Sequence, residues 1–271
     1  MQRSAMALIV VLVCSWLPPP VCANVLPDSL KSEIYDSIRN VWIYTPPHYS
    51  DKDTTTYDLL LVFDGAQSLE EIPFPAILDS LIAVARIPPM IAVLVDDYSG
   101  AQRLGDLANQ PRFVTFLSDE LLPWIRERWR VSHDPKHSFL IGSSAGGLAS
   151  AYVALERPDL FGNVLSQSGA FWRGSAGSNA PPFEWLTEQY ARLPKKDIHF
   201  VLDVGAMESR GALSGSAPSI LDANRRLQKT LVRKGYTVRY TEVPGGHHNP
   251  ADWRERLPEC LVAITGSRRG S

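Results

Sequence analysis

Short apolar runs alternate with amphipathic stretches along most of the chain, and the two patterns predict different elements. Continuous apolar runs over residues 59–63 and 90–95 indicate strands that are buried on both faces. Alternating apolar and polar positions over residues 40–44 and 237–242 indicate strands with one exposed face. Shorter apolar runs predict three more strands, over residues 138–141, 163–166 and 199–202.

Apolar residues recur at helical spacing between these strands. The pattern predicts helices over residues 74–85, 113–129, 148–156, 183–193, 220–234 and 253–263. Strands that alternate with helices are typical of an α/β fold, with a mainly parallel central sheet and helices on both of its faces.

The N-terminus has the composition of a signal peptide over residues 1–23. Arg3 supplies a positive charge, residues 5–16 are apolar, three prolines follow, and small residues precede a cleavage point at Asn24. The alternatives are an ordinary helix and a lipoprotein anchor. Neither Cys14 nor Cys22 follows a small residue, so we expect no membrane anchor. The predicted location is therefore periplasmic or secreted.

The length and net charge of the chain limit its domain number and its partners. The chain has 271 residues and a formal net charge of −2. This length suits one soluble domain over residues 24–271, and the charge gives no reason to expect a nucleic-acid partner. Removal of residues 1–23 would leave Cys260 as the single cysteine, so we expect no internal disulfide.

The most informative motif is the segment 142–147, which contains Gly142, Ser144 and Gly146 in a G-x-S-x-G pattern. It lies between a predicted strand and a predicted helix, which is the context of a nucleophile elbow. In such a turn Ser144 is exposed as a nucleophile, and the N–H of Ala145 faces the oxygen of an attacked carbonyl. The alternative is a turn rich in glycine and serine that matches a short pattern by chance.

A serine nucleophile of this type needs a histidine and an acid later in the chain. Of the six histidines, only His247 and His248 follow the last predicted strand. Asp203 and Glu208 both lie between the elbow and these histidines. Asp203 is still on a strand, whereas Glu208 is in the loop that follows, so we favour Glu208 as the acid that orients the histidine.

Two longer segments carry a family resemblance, residues 140–148 around the elbow and residues 161–172, from Phe161 to Trp172. Together with Phe63-Asp64-Gly65 and the stretches at 103–107 and 119–125, they resemble the enterochelin (enterobactin) esterase branch of an α/β-hydrolase family of esterases. That family also includes feruloyl esterases, S-formylglutathione hydrolase and mycolyl transferases. The resemblance extends over residues 41–261, nearly all of the predicted mature chain.

The resemblance implies roles for particular residues. The spacing of Gly246, His248 and Trp253 fits the family's late motif, which implies His248 rather than His247 as the base. The family acid falls at Glu208, and the second oxyanion donor falls at the N–H of Ala66. Cytosolic members carry an extra N-terminal domain, whereas here the hydrolase core follows the signal segment almost directly, so we expect an open site.

Two further residues are candidates for binding substrate. Arg103 is expected in a loop after the strand at 90–95, where the family pattern has an arginine that could hold an anionic group. Its alternative is a surface salt bridge with Asp106. Trp172 follows the strand after the elbow and could stack on an aromatic acyl group. Its alternative is a tryptophan of the core or of a lid.

The predicted function is that of an exported serine esterase, which hydrolyses a small-molecule ester through an acyl-enzyme and uses neither cofactor nor metal. The resemblance points to a catecholate siderophore trilactone of the enterobactin type. The alternatives are a feruloyl- or acetyl-type carbohydrate esterase, an acyltransferase on the same scaffold and a non-catalytic binding protein. An intact set of Ser144, Glu208 and His248 argues against the last of these.

Overall fold

The computed structural model describes residues 24–50, 52, 54–96, 100–210 and 217–266, and the predicted signal peptide over residues 1–23 lies outside them. Within these residues, eight strands form one sheet in the order β1-β2-β4-β3-β5-β6-β7-β8. The strands are β1 Asn24–Ser32, β2 Ser37–Thr45, β3 Asp58–Val62, β4 Met90–Val95, β5 Ser138–Ser143, β6 Asn163–Gln167, β7 His199–Gly205 and β8 Thr237–Val243.

The sheet is mainly parallel, as the alternating pattern predicts. β1 and β2 pair antiparallel, β2 pairs antiparallel with β4, and the remaining neighbours are parallel. The carboxyl ends of the parallel strands therefore lie along one edge of the sheet. This α/β-hydrolase architecture is the fold class that the sequence predicts.

Nine α-helices are described in the same residues. They are α1 Gly65–Glu70, α2 Phe74–Ala83, α3 Gly100–Leu107, α4 Pro111–Thr115, α5 Leu122–Arg128, α6 Ala145–Glu156, α7 Trp185–Arg192, α8 Ile220–Arg233 and α9 Pro250–Gly266. None of these helices combines the length and the apolar character that a membrane span requires.

The apolar core is divided by the sheet into two layers, because successive strand residues point to opposite faces. Along β3, Leu59 and Leu61 belong to one cluster, and Leu60 and Val62 belong to the other. The second cluster includes side chains of α2 and α9, whereas the first includes side chains of α4 to α8. The buried strands β3 and β4 thus have helices on both faces, as their continuous apolar runs predict.

Some elements differ from the sequence prediction. The strand β1 and the helices α1 and α3 are absent from the sequence prediction, and the two helices have only six and eight residues. The helix predicted over residues 113–129 is interrupted by a π-helix, Phe116–Leu121, in which the N–H of Leu122 donates to the carbonyl of Leu117. Pro123 has no N–H with which to continue the α-helical ladder, and the wider turn directly precedes it.

A buried ion pair joins β2 to α3. Arg39 donates to the carboxylate of Asp106 at 2.6 Å, and the two side chains are only 2% and 5% exposed. The guanidinium also lies over the rings of Tyr35 and Phe116. Because a buried charge without its partner is costly, this pair fixes the position of α3 against the sheet.

Arg39→Met tests the importance of that pair. We expect it to lower the free energy of unfolding by about 3–5 kcal/mol, because Asp106 would be left as an unpaired buried charge. Urea denaturation measures the loss. The matched control is Lys31→Met, which breaks the exposed Lys31–Glu33 pair and should change stability by less than about 1 kcal/mol. Equal effects of the two substitutions would contradict this account.

Candidate active site

The turn between β5 and α6 presents Ser144 at the carboxyl edge of the sheet. Ser144 has φ 54° and ψ −116°, a backbone conformation that is strained for a residue with a side chain. A Cβ on Gly142 would lie 2.4 Å from the carbonyl carbon of Gly146, so the strand and the helix can cross this closely only with glycine at that position. The observed turn has the form of a nucleophile elbow.

Neighbouring backbone holds this turn in place. The N–H of Ser144 donates to the carbonyl of Gln167 at the end of β6, and the carbonyl of Ser144 accepts from the N–H of Ala170. Both bonds are 2.9 Å long. The strained turn is therefore anchored on both sides by the segment that follows the adjacent strand.

His248 contacts the hydroxyl of Ser144. It lies in the loop between β8 and α9, and its Nε2 is 3.0 Å from the Oγ of Ser144. Its ring packs edge-on against Trp253, with the ring centroids 5.0 Å apart. The backbone N–H of the neighbouring His247 donates to the carboxylate of Asp252.

Glu208 completes a chain of three side chains. Its Oε2 is 2.7 Å from the Nδ1 of His248, and the carboxylate is only 2% exposed. Its Oε1 accepts from the N–H of Gly205 at 2.8 Å and from the hydroxyl of Ser168 at 2.7 Å. Burial alone would raise the pKa of Glu208, but the hydrogen bonds from His248, Ser168 and Gly205 outweigh burial and hold the pKa below its usual range.

Asp203, the other candidate acid, has different partners. Its carboxylate accepts from the side chains of Gln167 and Cys260, each at 3.0 Å, and lies 3.5 Å from the guanidinium of Arg256. Burial raises the pKa of Asp203 despite these partners. Its hydrogen bonds link β7 to β6 and α9, and it is Glu208 that contacts the histidine.

The two predicted oxyanion donors lie at the starts of helices. Ala145 is the first residue of α6 and Ala66 is the second residue of α1. N–H groups in the first turn of a helix have no acceptor within it, so both are available to an oxyanion. The two helix starts are neighbours, because a Cβ on Gly146 would lie 3.1 Å from the Oδ2 of Asp64, which directly precedes α1.

Arg103 binds to the residue that precedes the Ala66 turn. Contrary to expectation it lies within a helix, α3, and not in a loop. Its Nη2 donates to Asp64 Oδ2 at 2.7 Å, and its Nε donates to Oδ1 of the same carboxylate. The alternative pairing with Asp106 is wrong, because Arg39 occupies that carboxylate. The side chain of Arg103 is 27% exposed, so part of it remains open to solvent at the site.

Trp172 is 5% exposed and belongs to the apolar core cluster. The guanidinium of Arg173 lies over its ring, 4.8 Å from the centroid. These contacts agree with the alternative of a core tryptophan. Stacking on a substrate stays a prediction, and it would require part of the indole to become exposed.

The sequence analysis missed Ser168, which follows β6 directly and donates to Glu208. It also missed Arg256, which reaches the same hydroxyl from α9. The available signal for Ser168 was its position at the carboxyl end of a parallel strand, beside the elbow strand. Among the described residues, no group of three or more histidine, cysteine, aspartate or glutamate side chains could hold a metal ion.

Comparison with known proteins relates this arrangement to a family. The family model described as Putative esterase matches residues 32–264. An iron(III) enterobactin esterase of Dickeya dadantii is 29% identical over 253 residues, which cover 88% of this chain and 54% of that relative. The chain thus spans about half the length of the curated relatives it matches.

Solved structures of two esterases have a similar fold. The crystal structure of the Shigella flexneri enterobactin esterase in the presence of enterobactin matches with a TM-score of 0.78 and 26% identity, over 90% of this chain and 60% of that one. A ferulic acid esterase of Anaeromyces mucronatus matches with a TM-score of 0.70 over 93% of this chain and 97% of that one. At 18% identity, this second match shows a common fold alone.

The contact between Ser144 and His248 predicts a selectively reactive hydroxyl. A fluorophosphonate probe should label the wild-type protein and the Ser143→Ala variant, and Ser144→Ala should abolish labelling, because the hydroxyl of Ser144 contacts the imidazole that can take its proton. Mass spectrometry of the labelled peptide measures the outcome, and thermal unfolding checks that both variants fold. Labelling that survives Ser144→Ala would contradict the assignment.

Proposed function

Because the chain belongs to the esterase family whose model matches residues 32–264, we propose that it is a serine esterase with Ser144, His248 and Glu208 as its catalytic residues. The observation that carries the proposal is the continuous contact from nucleophile to acid. Ser144 Oγ is 3.0 Å from one nitrogen of His248, and the other nitrogen is 2.7 Å from Glu208. These distances suit proton transfer from the serine to the imidazole.

The reaction begins when Ser144 Oγ forms a bond to the carbonyl carbon of the ester. The serine proton moves to Nε2 of His248 as that bond forms. Glu208, which is buried and ionised, stabilises the resulting imidazolium through Nδ1. The low pKa of Glu208 supports this role, because a carboxylate that stays ionised keeps its charge beside the histidine.

The negative charge on the carbonyl oxygen is held by backbone donors. We assign this role to the N–H groups of Ala145 and Ala66, which lie at the starts of α6 and α1. Loss of one such donor typically lowers turnover by about 10²–10³-fold. The conformation of the Asp64-Gly65-Ala66 turn therefore matters to the rate nearly as much as the three side chains do.

Collapse of the tetrahedral intermediate breaks the bond to the leaving oxygen, and His248 Nε2–H protonates the departing alcohol. Water then attacks the acyl-Ser144 ester in the same way and releases the acid. If an acceptor alcohol replaced water in this second half, the protein would be an acyltransferase. Product analysis with and without an added alcohol distinguishes the two activities.

For the substrate, we propose a cyclic triester that carries catecholate groups, of the enterobactin type. Two matched relatives support this choice, since one is an iron(III) enterobactin esterase and the other was crystallised in the presence of enterobactin. The side chain of Arg103 is 27% exposed, and beside its pair with Asp64 it offers further guanidinium donors to an anionic ring. The predicted signal peptide would place the enzyme outside the cytoplasm.

The two buried carboxylates give a direct test of the acid. Glu208→Gln should lower kcat by about 10²–10⁴-fold, because an amide can hold the imidazole in the wrong tautomer and carries no charge to stabilise it. Asp203→Asn is the matched control and should change kcat by less than about tenfold. Steady-state hydrolysis of a chromogenic ester measures both. A larger kinetic loss in Asp203→Asn, at equal stability, would reassign the role.

The substrate proposal predicts a rank order of rates. The protein should open an enterobactin-like trilactone with a higher kcat/KM than it shows toward feruloyl or acetyl esters, as measured by chromatography of the products. Arg103→Ala should raise KM for the catecholate substrate more than for a neutral ester. If Arg103 acts only through Asp64, kcat should fall equally for both. An intact macrocycle beside rapid turnover of neutral esters would contradict the substrate assignment.

A further inference from the structure

A buried hydroxyl lies behind the carboxylate of Glu208. Ser168 directly follows β6 and is fully buried, with φ 51°. Its Oγ has three polar neighbours, one in the loop after β7 and two on α9. It is 2.7 Å from Glu208 Oε1, 3.0 Å from Trp253 Nε1 and 3.3 Å from Arg256 Nη2. Its backbone N–H donates to the carbonyl of Asp203 at 2.7 Å, so the residue is held from both ends.

The chemistry of these neighbours determines which way the hydroxyl hydrogen points. A hydroxyl can donate one hydrogen bond and accept two. The indole of Trp253 and the guanidinium of Arg256 can only donate, so together they occupy both acceptor positions of the Ser168 oxygen. The single hydrogen of that hydroxyl is left for Glu208, which lies at the shortest of the three distances.

The donors and acceptors around Glu208 likewise determine the protonation of the histidine. Oε1 of Glu208 already accepts from Gly205 and Ser168, so this oxygen does not also carry a proton. Because the pKa of Glu208 is held below its usual range, Oε2 is unprotonated as well and can only accept, from Nδ1–H of His248. An imidazole with its hydrogen on Nδ1 has its lone pair on Nε2, and this nitrogen faces the Oγ of Ser144. The direction of every hydrogen bond from Ser168 to the nucleophile is thus determined.

The two donors to Ser168 come from α9, one turn apart. Trp253 also packs edge-on against the ring of His248, so one indole contacts both the histidine and the hydroxyl that binds the acid. The side chain of Arg256 is only 9% exposed, and its guanidinium places a positive charge 3.3 Å from the hydroxyl oxygen. A donor that is itself hydrogen-bonded and polarised is a stronger donor. α9 therefore orients Ser168 as well as the histidine.

Resting on the function proposed above, we propose that Ser168 is a positioning residue of the esterase. Its hydroxyl, aligned by Trp253 and Arg256, holds the Glu208 carboxylate in the orientation that sets the tautomer of His248. Ser168 does not touch the reacting atoms and acts only through Glu208.

The main test is Ser168→Ala, compared with Ser166→Ala. Ser166 is a fully buried serine of β6, the strand that Ser168 directly follows, and its hydroxyl has no hydrogen-bond partner among the described residues. With a chromogenic ester, Ser168→Ala should lower kcat by about 10–100-fold, the usual effect of removing a partner that orients a functional side chain. KM should stay within about threefold. Ser166→Ala should retain wild-type kinetics.

The pH profile gives a readout that a purely structural role would not move. The hydroxyl of Ser168 stabilises the ionised form of Glu208, so its loss raises the pKa of that carboxyl and makes the acid–histidine pair hold a proton more tightly. The acidic limb of kcat/KM should therefore move to higher pH in Ser168→Ala. Ser166→Ala should show the wild-type profile.

A second variant keeps the proposal testable if Ser168→Ala does not fold. Trp253→Phe keeps an aromatic side chain at this position and removes the N–H that aligns Ser168. We expect it to lower kcat by about 3–10-fold, with the acidic limb shifted in the same direction. Wild-type kinetics and pH profiles in both Ser168→Ala and Trp253→Phe would overturn the positioning role and leave the esterase proposal intact. Absence of ester hydrolysis and of Ser144 labelling in the wild-type protein would instead overturn the proposed function itself.

Discussion

The close crossing of β5 and α6 is the constraint on which the rest of the site depends. Gly142 and Gly146 approach so closely that a single Cβ on Gly142 would overlap backbone, and Ser144 between them is forced to a positive φ. Such a conformation persists only where surrounding structure holds it. Here the backbone of Gln167 and Ala170, on the adjacent strand and its loop, supplies that restraint. In this conformation the hydroxyl of Ser144 and the start of α6 lie together at the carboxyl edge of the sheet.

The parallel sheet then brings the other groups to this point. β5, β6 and β7 are neighbours, so Ser144, Ser168 and the loop that carries Glu208 follow adjacent carboxyl ends. The loop with His248 reaches them from β8, the edge strand next to β7. A Cβ on Gly205 would lie 2.3 Å from the carbonyl oxygen of Gly246, so the acid loop and the histidine loop pack directly on each other. The strands β5, β6, β7 and β8 thus lie side by side in the same order in which they follow one another along the chain.

The sequence predicts the parts of the site that depend on local spacing. The elbow can be predicted because a tight turn requires small residues. His248 can be predicted because its sequence spacing from Gly246 and Trp253 fits a family motif. Hydrogen-bond and ion-pair partners that depend on tertiary packing cannot be predicted from sequence spacing. Arg103 binds Asp64, 39 positions earlier, whereas Asp106, which is nearer in the sequence, is bound by Arg39. Short helices such as α1 and α3 also escape prediction, since their positions come from packing rather than from an apolar period.

Asp203 and Glu208 show how one strand end can hold two buried carboxylates of opposite character. Burial dominates at Asp203 and raises its pKa, whereas hydrogen bonds dominate at Glu208 and lower its pKa. Such divergence separates roles, because only the group that stays ionised can support a cation that forms beside it. Glu208 faces the histidine, and Asp203 faces the thiol of Cys260 and the amide of Gln167 in the interior. Ser168 lies between the two, since its N–H binds the carbonyl of Asp203 and its hydroxyl binds Glu208. The difference in environment thus arises over five positions of the chain, because Asp203 lies in β7 and Glu208 lies in the loop that follows it.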